Sequence, residues 1–242
     1  MIRKLIFTIA SLFIFIPFIH AQEDLVDMKL SIYRWGFSNS MKIPDLETGR
    51  VSQITSGAAN AELWYKSDDQ WKSLNITAGE RSKVIQYKGP RLMIFHSRSM
   101  DAEGKPIYRE NSRLLLPANA SESFVLMFKT GSTAKFYPMN VSPQRLPKEK
   151  LAIMNMTIHP AGVVAGGDAK ILKPGAFTIF TPKKREKDGM EVKLAKFDKN
   201  LNKWRQVYDN AITIPDNKRC LMLLYDPYNS KTPKFTIQVL TL

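Results

Sequence analysis

The stretch Phe124-Val125-Leu126-Met127-Phe128, followed by the turn Lys129-Thr130-Gly131-Ser132 and then by Lys135-Phe136-Tyr137-Pro138-Met139-Asn140-Val141, decides the fold class. Five apolar residues bounded by turn chemistry are too few for a helix and read as a strand covered on both faces. Just upstream, Leu114-Leu115-Leu116-Pro117 reads as a strand ended by proline, joined to Phe124 by polar Ala118 to Ser123. The same succession recurs near the C-terminus. Ile212-Thr213-Ile214-Pro215 is followed by polar Asp216 to Arg219, by Cys220-Leu221-Met222-Leu223-Leu224-Tyr225, and by Lys234-Phe235-Thr236-Ile237-Gln238-Val239. Pro117 and Lys135 lie 18 residues apart, Pro215 and Lys234 19. This points to an internal repeat of two related β-domains, against the rival that strand-turn-strand patterns resemble one another in any β protein.

Elsewhere the chain shows strand rather than helix periodicity. Met190-Glu191-Val192-Lys193-Leu194 alternates apolar and polar residues, the pattern of a strand with one wet and one dry face. Turn signals such as Ser67-Asp68-Asp69-Gln70, Gly166-Gly167-Asp168 and Asp188-Gly189 fall between such runs, at the spacing of roughly 8–12 residues that sandwiches and barrels produce. The connections are too short for repeated helical crossovers, so antiparallel pairing is expected. The expected fold is all-β and antiparallel: two tandem immunoglobulin-like sandwiches over residues 22–141 and 152–242, with one larger sandwich as the alternative. Residues 142–151, with Pro143 and Pro147 among polar neighbours, read as an extended, semi-rigid connector, with a single helical turn in Leu146 to Leu151 as the alternative.

Residues 1–21 read as a secretory signal peptide. Arg3 and Lys4 supply the positive start, Leu5 to Ile19 an uncharged apolar run, and Ala21 a small residue before the cleavage point. The run of about 15 residues falls short of the roughly 20 that a membrane-spanning helix needs. The protein is therefore expected to be exported, to the periplasm or beyond the cell. Cys220 is the sole cysteine, so the folded chain has no internal disulfide and is held by its core; the thiol itself sits in an apolar run and reads as buried and inert.

Loss of Arg3 and Lys4 with the signal lowers the formal net charge from +14 to +12. Such an excess attracts anionic envelope polymers, acidic glycans or phospholipid head groups. Lys183, Lys184 and Arg185 form the densest basic cluster. Export, and the want of any Arg-rich helix, zinc module or RNA-reading strand motif, argue against nucleic acid as a partner.

Motifs of catalysis are missing. His96 and His159 are not at ligand spacing, so neither a metal nor a cofactor is expected; His96 reads as a structural residue with its ring hydrogen-bonded. No nucleophile elbow or phosphate-cradling glycine loop occurs. Asp68-Asp69 suits a hairpin turn better than a carboxylate pair. The aromatics are more suggestive: Trp35, and Trp64 with Trp71 around one hairpin, are candidate binding residues for sugar rings or peptide. Core packing is the favoured reading over a ligand platform, and alternation places Trp64 and Tyr65 on opposite faces, so at least one of those two belongs to the core. Trp204 follows a turn as Trp71 does, which suggests a packing role for both. The function expected is that of a non-catalytic exported envelope protein whose basic surface binds anionic partners. A carbohydrate- or peptide-binding module using the aromatic hairpin is the first alternative, a small hydrolase with carboxylate catalysis the second.

Overall fold

A computed structural model of the chain describes residues 24–36, 41–45, 48, 50–54, 61–130, 133–182, 189–198, 201–226 and 235–242. The expected signal at 1–21 and the cluster Lys183-Lys184-Arg185 lie outside them. Every regular element among the described residues is a strand. In chain order these are β1 (Leu25–Arg34), β2 (Met41–Pro44), β3 (Val51–Ile54), β4 (Ala61–Ser67), β5 (Gln70–Ile76), β6 (Ile85–Pro90), β7 (Leu92–Met100), β8 (Pro106–Leu115), β9 (Glu122–Thr130), β10 (Thr133–Asn140), β11 (Leu151–Asn155), β12 (Ala161–Ala165), β13 (Asp168–Leu172), β14 (Phe177–Phe180), β15 (Met190–Asp198), β16 (Lys203–Ile212), β17 (Cys220–Tyr225) and β18 (Thr236–Thr241).

They form four four-stranded sheets and a small β2–β3 hairpin. In the first half, β10-β9-β1-β6 makes an inner sheet and β5-β4-β7-β8 an outer one; in the second half, β14-β11-β17-β18 is inner and β13-β12-β15-β16 outer. Antiparallel pairing dominates. Each inner sheet nevertheless contains one parallel pair, β1 with β9 and β11 with β17. No helical crossover is needed, because the chain travels between the parallel strands through the outer sheet. The strand order also departs from the immunoglobulin one, in which the first, second, fourth and fifth strands share a sheet. Here, setting the β2–β3 hairpin aside, the first and fourth strands of the first half join its last two, and the second, third, fifth and sixth form the other sheet.

Three cores separate the four layers. Met28, Leu30 and Ile32 of β1 face Leu63, Tyr65, Met93 and Phe95 of the first outer sheet. Leu151 and Ile153 of β11, with Cys220, Met222 and Leu224 of β17, face Val163, Val192 and Leu194 of the second. Between the inner sheets lies the third core, where Trp35, Phe124, Leu126 and Phe128 meet Met154, Leu221, Leu223 and Tyr225. This explains the uninterrupted apolar runs: in β9 Phe124, Leu126 and Phe128 point into the central core while Val125 and Met127 point into the first. A side chain of that size contributes about 1.5–3 kcal/mol when fully buried, so both faces of β9 and β17 hold the layers together.

Polar contacts also tie the halves across this seam. Arg219 donates to a Glu122 carboxylate oxygen at 2.7 Å and to the Val141 carbonyl, and Gln238 donates to the Tyr33 hydroxyl. The segment after β10 is not the extended connector its prolines suggest. The amides of Arg145 and Leu146 both donate to the Ser142 carbonyl at 2.8 Å, closing a turn, and Leu146 is buried in the central core. The Ser142 hydroxyl accepts from the amides of Ser121 and Glu122, which pins the turn to the start of β9.

Candidate functional site

The outer face of the first outer sheet gathers the side chains that sequence left scattered. Alternation sends Leu63 and Tyr65 of β4 into the core and turns Trp64 and Lys66 outward. The hairpin that follows is a tight one: Asp68 and Asp69 have φ of 50° and 59°, the left-handed pair that a two-residue turn requires, and Trp71 comes outward just beyond it on β5. On the other side of the sheet, β7 and β8 pair through a bulge. Phe95 lies opposite Ser112, but His96 lies opposite Glu110, so Asn111 is the extra residue. The bulge reverses the parity of β8. Ser112 and Leu114 are buried, whereas Tyr108, two steps further in the same alternation, is turned out beside Arg98.

Trp64 and His96 sit directly opposite each other on the central strands. Trp71 and Tyr108 belong to the two edge strands, which three strand spacings keep roughly 14 Å apart. Their long rings nonetheless meet, stacked at 3.8 Å with planes 7° apart, and so close over the central pair. Trp71 also sets its edge against His96 at 4.8 Å, and Trp64 lies 5.5 Å from Tyr108. Two cations complete the cluster: the Arg98 guanidinium lies 4.9 Å from the Trp64 ring and the Lys66 ammonium 5.9 Å from that of Trp71.

Roofing the central pair leaves two ring nitrogens dry. Trp64 Nε1 and His96 Nδ1 are both shut away from solvent with no hydrogen-bond partner among the described residues. An unmatched buried polar group of this kind costs about 1–3 kcal/mol. His96 is therefore not the hydrogen-bonded structural residue expected from sequence. Glu110, directly opposite it, is turned away: it takes the Arg113 guanidinium at 2.6 Å, a bond that holds the Glu110 carboxyl below its usual range, with a smaller contribution from His96.

A groove of about 590 Å³ opens next to the cluster. It exists because β4 and β7 pair only at Trp64–His96; past that point β4 swings toward β6, where the Asp68 amide bonds the Lys88 carbonyl and the Lys88 amide bonds the Ser67 hydroxyl. Lys66, Lys88, His96, Ile94 and Tyr87 line it, together with the acids Asp27, Asp68 and Asp69. The matching strands of the second half, β12 and β15, pair along five positions.

The other sequence candidates separate. Trp35 cannot be a ligand platform: it is 1% exposed in the central core, packed on Phe128 at 5.4 Å and edge-on to Tyr225 at 4.6 Å. Lys183, Lys184 and Arg185 lie outside the described residues. Trp204 is half-exposed on the second outer sheet, where the missing side chain of Gly162 lets the indole lie close to the strand and a shallow hollow of about 360 Å³ opens beside it. The His159 carbonyl accepts from Asn155 and Thr157 in a buried polar knot. Asp68 is paired loosely with Lys72 at 3.9 Å, and Asp27 accepts from Gln86. Among the described residues no three metal-ligating side chains converge, and no helix is long and apolar enough to cross a membrane.

Sequence reasoning found Trp64 and Trp71 but missed His96, Arg98 and Tyr108. The alternation along β7 could have flagged the first two as outward-facing; Tyr108 was hidden by the bulge. No protein-family model matches this chain, and no curated protein matches it.

Proposed function

We propose that the protein is an exported binding protein of the cell envelope or its surroundings, and that it holds an anionic, ring-bearing partner such as an acidic glycan on the Trp64–Trp71–Tyr108–His96 face. The observation that carries this reading is the convergence of four aromatic rings and two cations on one outward sheet face beside an open groove. Aromatic faces accept the apolar side of sugar rings, and guanidinium and ammonium groups accept carboxylate or sulfate substituents. The overall positive charge adds long-range attraction for such polymers. A purely packing role explains stacked rings less well here, since the stack strands two polar nitrogens instead of sheltering apolar surface.

Polygalacturonate and neutral dextran, titrated into the mature protein while tryptophan emission is followed, test the reading. Polygalacturonate is expected to quench emission at low salt and to lose affinity steeply as ionic strength rises, and Trp71→Ala is expected to weaken it. Binding unchanged in Trp71→Ala, or no binding to either polymer, refutes it.

We also read the two halves as copies of one unit. What supports this, beside the proline-punctuated sequence pattern, is their common strand order and the matching bulges, at Phe95/His96 in β7–β8 and Leu194/Ala195 in β15–β16. In that register Trp204, opposite Phe197, stands where Tyr108 stands opposite Arg98.

A further inference from the structure

Resting on the binding reading above, we infer that Trp64 Nε1 and His96 Nδ1 together form the receptor for one oxyanion of the ligand, a carboxylate or a sulfate ester, beneath the Trp71–Tyr108 stack. The two residues lie directly opposite each other on neighbouring strands, which places their side chains together on one face. Both nitrogens are hidden from water and neither has a partner among the described residues. The other two side-chain atoms of this kind among the described residues, Arg34 Nε and Gln238 Oε1, belong to groups that are bonded through another of their atoms, to the Ile76 carbonyl and the Tyr33 hydroxyl, and Asn155 and Thr157, fully enclosed, are bonded to carbonyls and to each other.

The chemistry of the missing partner follows from the donors. An indole N–H can only donate, so its partner is an acceptor; imidazole Nδ1 donates to the same acceptor as its N–H tautomer or as imidazolium. Charge selects an anion over a neutral hydroxyl. Arg98 stands over Trp64 and Lys66 over Trp71. Of the acids near this face, Glu110 is occupied by Arg113 through both carboxylate oxygens, and Glu62 sits one outward position from Trp64 along β4, exposed on the far side from the groove. The groove itself carries Asp27, Asp68 and Asp69 beside Lys66 and Lys88; Asp27 accepts from Gln86 and Asp68 lies 3.9 Å from Lys72, so the cations nearest the buried nitrogens remain Arg98 and Lys66. Entry is from the groove, which reaches His96 and Lys66. It requires Trp71 and Tyr108 to part by side-chain rotation alone, since they come from opposite edges of the sheet and share no backbone pairing.

The test uses the mature chain, with tetragalacturonate as the carboxylate probe, a sulfated galactose tetramer as the sulfate probe and neutral galactotetraose as the control. In a proton–nitrogen correlation spectrum the indole N–H of Trp64, assigned by its loss in Trp64→Phe, is expected to move downfield with an anionic probe and to stay still with the control; the stronger of the two anionic responses identifies the oxyanion. Trp64→Phe, which keeps an aromatic ring but removes the N–H, is expected to lower affinity for that probe about 10- to 100-fold, the range for a hydrogen bond to a charged group. If the Trp64 signal stays still with both anions while Trp71→Ala still abolishes binding, the face binds its ligand without this receptor and the inference falls alone. If Trp71→Ala binds as well as the native chain, the binding reading falls with it. Should Trp64→Phe fail to fold, the wild-type titration decides by itself, with the signal assigned through Trp35→Phe, Trp71→Phe and Trp204→Phe.

Discussion

Replacing Trp35 by alanine should unfold the seam between the two halves without touching the ligand face. The indole is 1% exposed and bridges the inner sheets, with Phe128 of β9 on one side and Tyr225 of β17 on the other, at 5.4 and 4.6 Å. Removing a large buried aromatic costs about 3–5 kcal/mol, a range that already contains its specific aromatic contacts. The cavity would sit between two sheets fixed by their own cores, so collapse around it is restricted and the upper part of that range applies. For a chain of this size each kcal/mol lowers the melting temperature by about 2–4 °C, which gives a fall of roughly 8–20 °C. The assay is thermal unfolding followed by far-ultraviolet circular dichroism and calorimetry, alongside polygalacturonate binding well below the transition. A loss of stability with binding retained is expected. A variant as stable as the native chain but unable to bind would refute the buried placement of Trp35 and restore it as a ligand platform.

Cys220 is buried, and burial raises its thiol pKa, offset in part by a hydrogen bond with Thr241. It should react with a thiol reagent only as fast as the protein unfolds, so rapid modification of the native state would contradict its place in the second core. Burial also raises the hydroxyl pKa of Tyr33, Tyr65 and Tyr137, and pushes that of Tyr225, beside Tyr33, up to about 12. Free tyrosine in the unfolded chain ionises near 10. The stability these groups contribute is therefore complete below pH 10 and drains away as pH rises from 10 toward 12. Tyrosinate absorbance should appear together with loss of β signal; smooth ionisation near pH 10 without unfolding would argue against it. At Gly166, with φ of +56°, an added Cβ would lie 2.3 Å from the Thr181 carbonyl oxygen, whereas at Gly79, with φ of +82°, it would meet nothing within 4 Å. Gly166→Ala should thus cost well over the roughly 1 kcal/mol of left-handed strain expected for Gly79→Ala, as read by urea unfolding. Glu122→Gln, which leaves Arg219 facing an uncharged partner, should lower stability by about 1–3 kcal/mol, and by little once Arg219 is Met.

The all-strand character was legible because the apolar runs are short and turn-bounded, and β9 and β17 are the two runs that became central strands. What could not be read was which sheet each strand would join. The parallel pairing of β1 with β9 depends on contacts about ninety residues apart, and no local pattern encodes them. The linker prolines suggested an extended connector because their neighbours are polar, yet Leu146 found a place in the central core and drew the chain into a turn. For the candidate face, the Asp68-Asp69 turn was legible, and Trp64 and Trp71 lie on the two strands it joins. Trp35 stood open between core and ligand platform, with core favoured, since an aromatic residue at the end of a strand looks the same in sequence whether the next layer is solvent or another sheet. Tyr108 was invisible for a sharper reason: simple alternation from Leu114 and Ser112 assigns it to the core, and only the extra residue Asn111 turns it outward.

The parallel pairs set a timetable for the chain. β1 is seated between β6 and β9, so its second neighbour emerges only some ninety residues after it, and β11 waits about seventy for β17. Neither half can therefore lock early; the outer hairpins can form and dissolve while each opening strand remains half-zipped. Were the chain exported as proposed, it would gain from such lateness, because nothing rigid would block a narrow passage until the last strands of each half arrive.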